Sequence, residues 1–541
     1  MSRVQHSASL SQIAFSAPHQ QAAKIGLEIL QQGGSAVDAM IAAAAAITVL
    51  YPHMNSLAGD GFWIIHKPGE APRAIDACGN AAQLASIDWY KAQGFSQIPS
   101  RGALAAVTLG GTLSGWQKAR EIATESQTLL PLSDLLAPAI ALAKTGIVVT
   151  ESLAAASRKV ELELADQAEY QRVFMPNGRP LIAGETFSNP DFAGFMESLA
   201  LDGLQGAFRG RIAAQLAVAL ADAGSPIRLA DLQAYAAQEV EPLSVTTRFG
   251  AFYNLPAPTQ GIASLLILAI YDRIMQPEWD QAARIHGLIE ATKQAFMVRD
   301  REVADPRRLS EAWSALLSDA HIDQLAAQVG EKALPWPQPA QQGDTVWMGC
   351  IDKDGTMVSF IQSIYWEFGS GVVIPGMGLV WNNRGVSFSL DPTHRNALQP
   401  GYKPFHTLNP AFAVLNDGRR ISYGTMGGEG QPQTQAALIT RYLYDGLPIT
   451  EAIARGRWLL GRTWGDKSHD LKMEQDLVDQ VGAQLRTRWH MLKPVPAHSE
   501  LMGHAGAIVS FADGCANAAS DPRSDGAGLI GEFSEFSEFG Q

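Results

Sequence analysis

Residues 333–344, ALPWPQPAQQGD, carry three prolines among small polar residues. Such a stretch suits neither a helix interior nor a central strand and reads as an exposed linker. The texture of the chain differs on its two sides. Before it, HQQAAKIGLEILQQGG (19–34) has apolar residues at helical spacing and stops at Gly33-Gly34. SAVDAMIAAAAAITVL (35–50) restarts with Ser35 as an N-cap, and its alanines allow close helix packing. A glycine-punctuated loop, YPHMNSLAGDG, leads to the strand FWIIH. Further helices are expected between Ser133 and Leu220 and from Gln281 to Arg299. After the linker, TVWMGCI, TMVSFIQSI, GLVWNN, AFAVL and ISYGT read as strands joined by Gly/Asp turns. PQTQAALITRYLYD and PITEAIARGRWL read as helices covering that sheet. A mostly helical first part therefore meets a strand-rich second part close to Asp344-Thr345.

The 541 residues are 46% hydrophobic and 18% charged, enough for a large core. A net charge of −13 without a Lys/Arg cluster argues against nucleic-acid binding. Three distant cysteines, Cys78, Cys350 and Cys515, suggest neither a disulfide framework nor a cysteine metal site. The opening residues show no basic region followed by an apolar run. The longest apolar stretch, Ala39 to Leu50, is too short to span a bilayer. A cytoplasmic setting without membrane contact is the expectation. The repeated Ser-Glu-Phe of the final segment, about 531–541, reads as a disordered tail.

The abrupt start of a hairpin at Thr345 draws attention. A threonine at a strand start is ordinarily there for its branched side chain. Were the chain cut after Asp344, Thr345 would gain a free α-amine beside its hydroxyl. That amine, with a reference pKa of about 7.7–8.0, is a general base for the hydroxyl. The same hydroxyl can make the cut by attacking the Asp344 carbonyl, water then hydrolysing the ester. Such chemistry needs donors for an oxyanion. Gly427-Gly428, in YGTMGGEGQ between a strand and a helix, offer backbone N–H groups at a helix start. An ordinary strand-to-helix turn is the alternative reading. DKDG (352–355) begins like a calcium loop but lacks the later ligands, so a hairpin turn is expected. His53 and Asp60 lack a zinc spacing, the 12 histidines form no ligand cluster, and G-x-S-x-G is absent.

Taken together these stretches resemble the γ-glutamyltranspeptidase family of N-terminal nucleophile hydrolases. The resemblance runs from about Ala17 to Leu529. It rests on GGSAVDAMIAAAAAITVLYPHMNSLAGDGFW, PAPTQGIASLLIL, YKPFHTLNPAF, GTMGGEG and ASDPRSDGAG, which appear in the family's order. It implies an α+β fold, a four-layered αββα sandwich. It also implies self-cleavage between Asp344 and Thr345 into a large subunit, 1–344, and a small one, 345–541. These two products stay together, with further dimerisation left open. Thr345 maps onto the family's nucleophile, Ser363 onto a supporting threonine, and Gly427 and Gly428 onto the oxyanion hole. The chemistry requires no metal or organic cofactor.

The departures from the family pattern bear on substrate. An ungapped alignment puts Ile87 where γ-glutamyl enzymes hold an α-carboxylate with arginine. Ser387 stands in place of the acid that holds the α-amino group. Arg384, beside Asn383, replaces a frequent glutamine. Tyr365 replaces a substrate-binding asparagine, and a serine pair becomes His406-Thr407. An amino-acid clamp is thus dismantled, while Arg384 suits a carboxylate without an ammonium. A structural salt bridge is the competing role for Arg384. Trp347, Tyr365 and Trp366 either narrow the pocket or pack. Two subgroups resemble this pattern: oxamate amidohydrolases of purine breakdown, which give oxalate and ammonia, and glutaryl-cephalosporin acylases. The expectation is an amidohydrolase for a small carboxylate-bearing amide, oxamate first. Alternatives are γ-glutamyl hydrolysis or transfer, the acylase activity, and an unprocessed binding protein of the same fold.

Overall fold

The computed structural model describes residues 12–336, 344–461 and 470–533. Two antiparallel sheets lie face to face. The first has seven strands in the order Ala527–Glu532, Gln12–Ala17, Asp344–Ile351, Met357–Tyr365, Asp60–His66, Arg73–Ala77, Gln238–Val240. The second has six: Ala516–Ser520, Ala505–Ser510, Arg420–Thr425, Ala411–Leu415, Gly250–Asn254, Leu243–Thr247. Strands from both sides of the 337–343 segment enter each sheet. Helices cover the two outer faces, giving four layers and three apolar interfaces.

The helix Ala36–Leu50 is buried along all 15 residues, as a helix apolar all round must be. Ser35 caps it: its hydroxyl accepts from the Asp38 N–H, and the Asp38 carboxylate accepts from the Ser35 N–H. The Asp352-to-Gly355 segment is the expected hairpin turn. The Asp352 carboxylate accepts from the Asp354, Thr356 and Ala36 N–H groups, tying the turn to the start of that helix.

Trp347 resolves as a packing residue. Its ring lies between the sheets, and its indole N–H donates to the Ser359 hydroxyl at 3.0 Å. Three glycines leave the space. A Cβ on Gly424 would come within 2.2 Å of the ring, on Gly506 within 2.4 Å and on Gly349 within 2.7 Å.

Three expectations need correction. The strand Ala527–Glu532 pairs with Gln12–Ala17, so ordered chain runs past 531 because Gly531 and Glu532 complete the ladder on Ile13 and Gln12. Residues 534–541 lie outside the described residues. The helix expected through Leu459 ends at Ala454, and Trp458–Leu460 is a strand. Arg457 enforces this change: its guanidinium is buried against Asp521 and the Gly503 carbonyl, and its N–H meets Glu474. The strands between Gln238 and Asn254 give an edge to each sheet, one strand to the first and two to the second, in the part expected to be helical.

Gly424→Ala forces its new methyl into Trp347. Overpacking of this kind costs about 1–3 kcal/mol. The urea midpoint should fall accordingly, and an unchanged midpoint would mean that the Trp347 slot is not close-packed.

Candidate active site

Thr345 is the second residue of a central strand and is fully buried. Its neighbour strand does not run in simple register. Gln362 pairs with Val346 and Tyr365 with Asp344, so Ser363 and Ile364 together face the single residue Thr345. This bulge bends the strand and re-aims its side chains. The Ser363 hydroxyl accepts from the Tyr365 N–H at 2.8 Å. Tyr365 is held at φ 85°, a strained value for a tyrosine.

The strain delivers the Tyr365 ring onto Arg384, whose guanidinium carbon lies 3.8 Å from the ring centroid. Arg384 opens the short turn Arg384–Ser387 and is only 1% exposed. Its N–H donates to Asn382 Oδ1 at 3.0 Å. Its guanidinium reaches the Thr407 hydroxyl at 3.4–3.5 Å. It forms no ion pair with a carboxylate among the described residues, and its Nε–H makes no hydrogen bond there; the buried Ser387 side chain lies against Tyr365. Among the described residues Arg384 therefore has no structural salt bridge. Burial pulls its pKa below the ordinary value, against the opposing influence of Tyr365, Asp60 and Cys78.

On the other side of Thr345, Gly427 and Gly428 both adopt positive φ, 122° and 54°. They turn the strand Arg420–Thr425 into the helix Gln431–Leu443. Gln431, the first residue of that helix, donates from Nε2 to the Thr345 hydroxyl at 3.4 Å. Beneath the turn lies a buried scaffold. Gln260 Nε2 donates to the Gly428 carbonyl at 2.9 Å and to the Thr407 carbonyl at 2.8 Å. Arg299 donates to Gln260 Oε1 and to Glu429 Oε2. Burial opposes the Arg299 charge, but Asp300 and Glu429 outweigh it and raise its pKa. Gln260 thus links the Gly-Gly turn to the loop that carries Thr407.

His406, next to Thr407, is also buried. Its Nδ1 accepts from the Leu408 N–H at 3.3 Å, which leaves Nε2–H to donate to Asp60 Oδ2 at 2.9 Å. Burial, with Arg384 and Lys403 nearby, holds its pKa well below the ordinary value.

The remaining expected residues are placed differently. Asn383 braces the bulge: Oδ1 accepts from the Trp366 N–H and Nδ2 donates to the Ser100 carbonyl. Trp366 lies under the Arg101 guanidinium. Ile87 begins the helix Ile87–Ala92 and packs on the first core. Among the described residues, three potential metal ligands meet at Asp60, Cys78 and His406, and at His286, Glu290 and His490. Both Asp60 oxygens and both His406 nitrogens are taken up by hydrogen bonds, and burial keeps the Cys78 thiol protonated. In the second group His286 bonds His490 and the Gly330 carbonyl, while Glu290 holds Lys293 and the Leu334 N–H. No helix among the described residues is long and apolar enough to cross a membrane.

Gln260, Arg299, Glu429 and Gln431 escaped the sequence reading as site residues, and Asp60 was weighed only against a zinc spacing. The only local signal was the position of Gln431 directly after the Gly-rich turn.

A model of the Gamma-glutamyltranspeptidase family matches residues 22–531. An oxamate amidohydrolase proenzyme of Klebsiella pneumoniae subsp. pneumoniae is 49% identical over 513 residues, 94% of this chain and 97% of that protein. A glutathione hydrolase-like proenzyme of Bacillus subtilis is 35% identical over 516 residues, 95% of this chain and 97% of that one. The crystal structure of a cephalosporin acylase from Bacillus halodurans superposes with a TM-score of 0.88 at 31% identity, covering 98% of this chain and 97% of that chain. With a matched region spanning nearly the whole length and an αββα sandwich shared with such an enzyme, the chain belongs to the γ-glutamyltranspeptidase family of N-terminal nucleophile hydrolases.

Proposed function

We propose that the chain cuts itself between Asp344 and Thr345 and that the mature protein hydrolyses the amide of a small carboxylate-bearing substrate, oxamate in the first instance. The observation that carries this reading is Arg384: a buried guanidinium with a stacked aromatic ring, a nearby hydroxyl and no carboxylate partner among the described residues. A guanidinium in such a place matches a substrate carboxylate and disfavours a substrate ammonium. The likeness to an oxamate amidohydrolase proenzyme supports the same substrate class.

In this mechanism the substrate carboxylate docks on Arg384 and its amide carbonyl faces Thr345. The Thr345 hydroxyl oxygen attacks the carbonyl carbon, and its own α-amine takes the hydroxyl proton. The Gly427 and Gly428 N–H groups receive the oxyanion, each such donor being worth about 2.7–4 kcal/mol. Gln431 and Ser363 orient the Thr345 side chain. The C–N bond breaks as the ammonium returns its proton to the leaving nitrogen, releasing ammonia and leaving an oxalyl ester. Water then attacks the ester, the amine again accepting a proton, and oxalate departs. Tyr365, Ser387, His406 and Thr407 shape and hold the anion end of the site.

A γ-glutamyl substrate is the second reading, suggested by the likeness to a glutathione hydrolase-like proenzyme. Its ammonium would lie near Arg384 with Ser387 in place of an acid.

Thr345→Ala should give a single uncut chain without activity, whereas the parent yields fragments 1–344 and 345–541 by intact-mass spectrometry. Ser363→Ala should slow both cutting and turnover without abolishing them. A cut elsewhere, or activity in Thr345→Ala, would refute the nucleophile. Arg384→Gln should raise KM for oxamate about 10- to 150-fold, the worth of a charge-assisted contact of about 1.5–3 kcal/mol. Turnover of a γ-glutamyl anilide matching that of oxamate would overturn the substrate assignment.

A further inference from the structure

Asp60 stands at the centre of a buried group that the mechanism has not used. It opens the strand Asp60–His66, and its backbone pairs with Ser363, beside the nucleophile. Its carboxyl is 1% exposed. Oδ1 accepts from the Gly79 N–H at 2.8 Å and Oδ2 from His406 Nε2–H at 2.9 Å. The next residue after His406 is Thr407, whose hydroxyl reaches Arg384. One carboxyl group and one guanidinium therefore share a buried region. They are joined through His406-Thr407 and make no direct ion pair.

The other charged and titratable groups facing Asp60 are accounted for. Asp76, on the strand Arg73–Ala77, is neutralised by Lys403 Nζ at 2.7 Å. Tyr235 donates to the Cys78 carbonyl at 3.1 Å, and burial raises its pKa well above the ordinary value, as it does that of the Cys78 thiol. His406 is held neutral. Asp60 and Arg384 remain as the two charges that answer to each other.

We propose that Asp60 is the specificity-determining counter-charge of the Arg384 anion site, ionised while the site is empty and taking up a proton from solvent when a substrate carboxylate docks on Arg384. This inference rests on the anion-binding role given to Arg384 above. Its physical basis is charge balance in a buried, water-poor interior. With Asp60 ionised, Arg384 is already compensated, and a second carboxylate would leave a net buried negative charge. Protonating Asp60 restores neutrality. Burial pushes the Asp60 carboxyl up to about 7, against the pull of the Gly79 N–H and of Arg384, so this proton exchange falls near neutral pH.

The sign follows from linkage. A docked anion raises the Asp60 pKa further, so binding is strongest where Asp60 is already protonated. Affinity then weakens up to about tenfold per pH unit between the pKa of the free state and that of the bound state. The cationic Thr345 amine, with a reference pKa of about 7.7–8.0, contributes to the same trend and must be separated from it.

The test is calorimetric binding of oxalate to the mature protein from pH 6 to 9, in buffers of different ionisation enthalpy, for the parent and Asp60→Asn. The ratio of parent to variant Kd removes the shared contribution of the Thr345 amine. A ratio that rises with pH, with less proton uptake in the variant, is the expected result. A constant ratio with oxalate still bound at pH 6 overturns the Asp60 assignment and leaves the anion site standing. Absence of oxalate binding at pH 6 overturns both. Should Asp60→Asn fail to mature, His406→Ala provides the second arm. Loss of its donor to the carboxylate should move the midpoint of proton uptake to higher pH, and an unmoved midpoint refutes the coupling.

Discussion

The strand Met357–Tyr365 carries one residue more than its partner, and the site is arranged around that surplus. Opposite Thr345 the ladder has two residues instead of one. The extra residue turns Ser363 toward the local backbone, drives Tyr365 into a positive-φ conformation and lays its ring on Arg384. An unbulged strand would send Tyr365 to the opposite face, since a one-residue slip inverts every side chain beyond it. Strain of this size, of order 1–3 kcal/mol, persists only where the surroundings over-determine it. Here Asn383 clamps the following residue, Trp366, from the side.

The second organising constraint is electrostatic. Burying Arg384 without a directly paired carboxylate is expensive, and a stacked ring, a long hydroxyl contact and the charge of Asp60 beyond His406 share in offsetting the cost. Elsewhere in the interior, buried guanidinium groups have acceptors in the fold: Arg299 pairs with Glu429, Arg457 with Asp521, Arg523 with Glu474 and Asp521, and Arg441, without a carboxylate, donates to the Ala452, Arg455 and Gly456 carbonyls. The contrast is the ground for the anion-binding role proposed for Arg384, whose Nε–H has no acceptor among the described residues. The Gly427-Gly428 turn shows the structural kind of polar network. Gly428 and Thr407 are locked to each other through Gln260, so the two ends of the site are held at a fixed spacing by one amide.

The sequence was most informative where chemistry and local pattern coincide. The Asp344-Thr345 step, the Gly427-Gly428 turn and the Ser35 cap are all recognisable because each is complete within a few residues. The substitutions at Arg384 and His406-Thr407 stood out against the family pattern. What stayed hidden are relationships made only by folding. His406 meets Asp60 across 346 residues, and Gln260 reaches Gly428 across 168. Asp60 was weighed only as a metal ligand, because nothing near it in sequence announces a buried histidine partner. Trp347 could not be assigned between pocket and packing until Gly424 and Gly506, on two other strands, were brought against it. Leu243–Thr247 alternates buried and exposed residues, but Pro242 and the following short turn obscure the signal.

The shared construction of the two sheets has a consequence for reversibility. Each half of the chain contributes strands to both sheets, so neither half contains a complete sheet or a closed apolar layer. Severing the chain before Thr345 would detach only the first residue, Asp344, from the strand Asp344–Ile351 and leave the rest of its ladder intact. It would, however, change the order of the folding reaction. The uncut chain folds as one molecule, whereas two separated fragments must find each other, so recovery from denaturation becomes dependent on protein concentration. The native arrangement is then reached by way of the precursor and retained by the sheets. In this architecture the covalent connection would serve as an assembly guide, used while the two sheets form and carrying little of their cohesion afterwards.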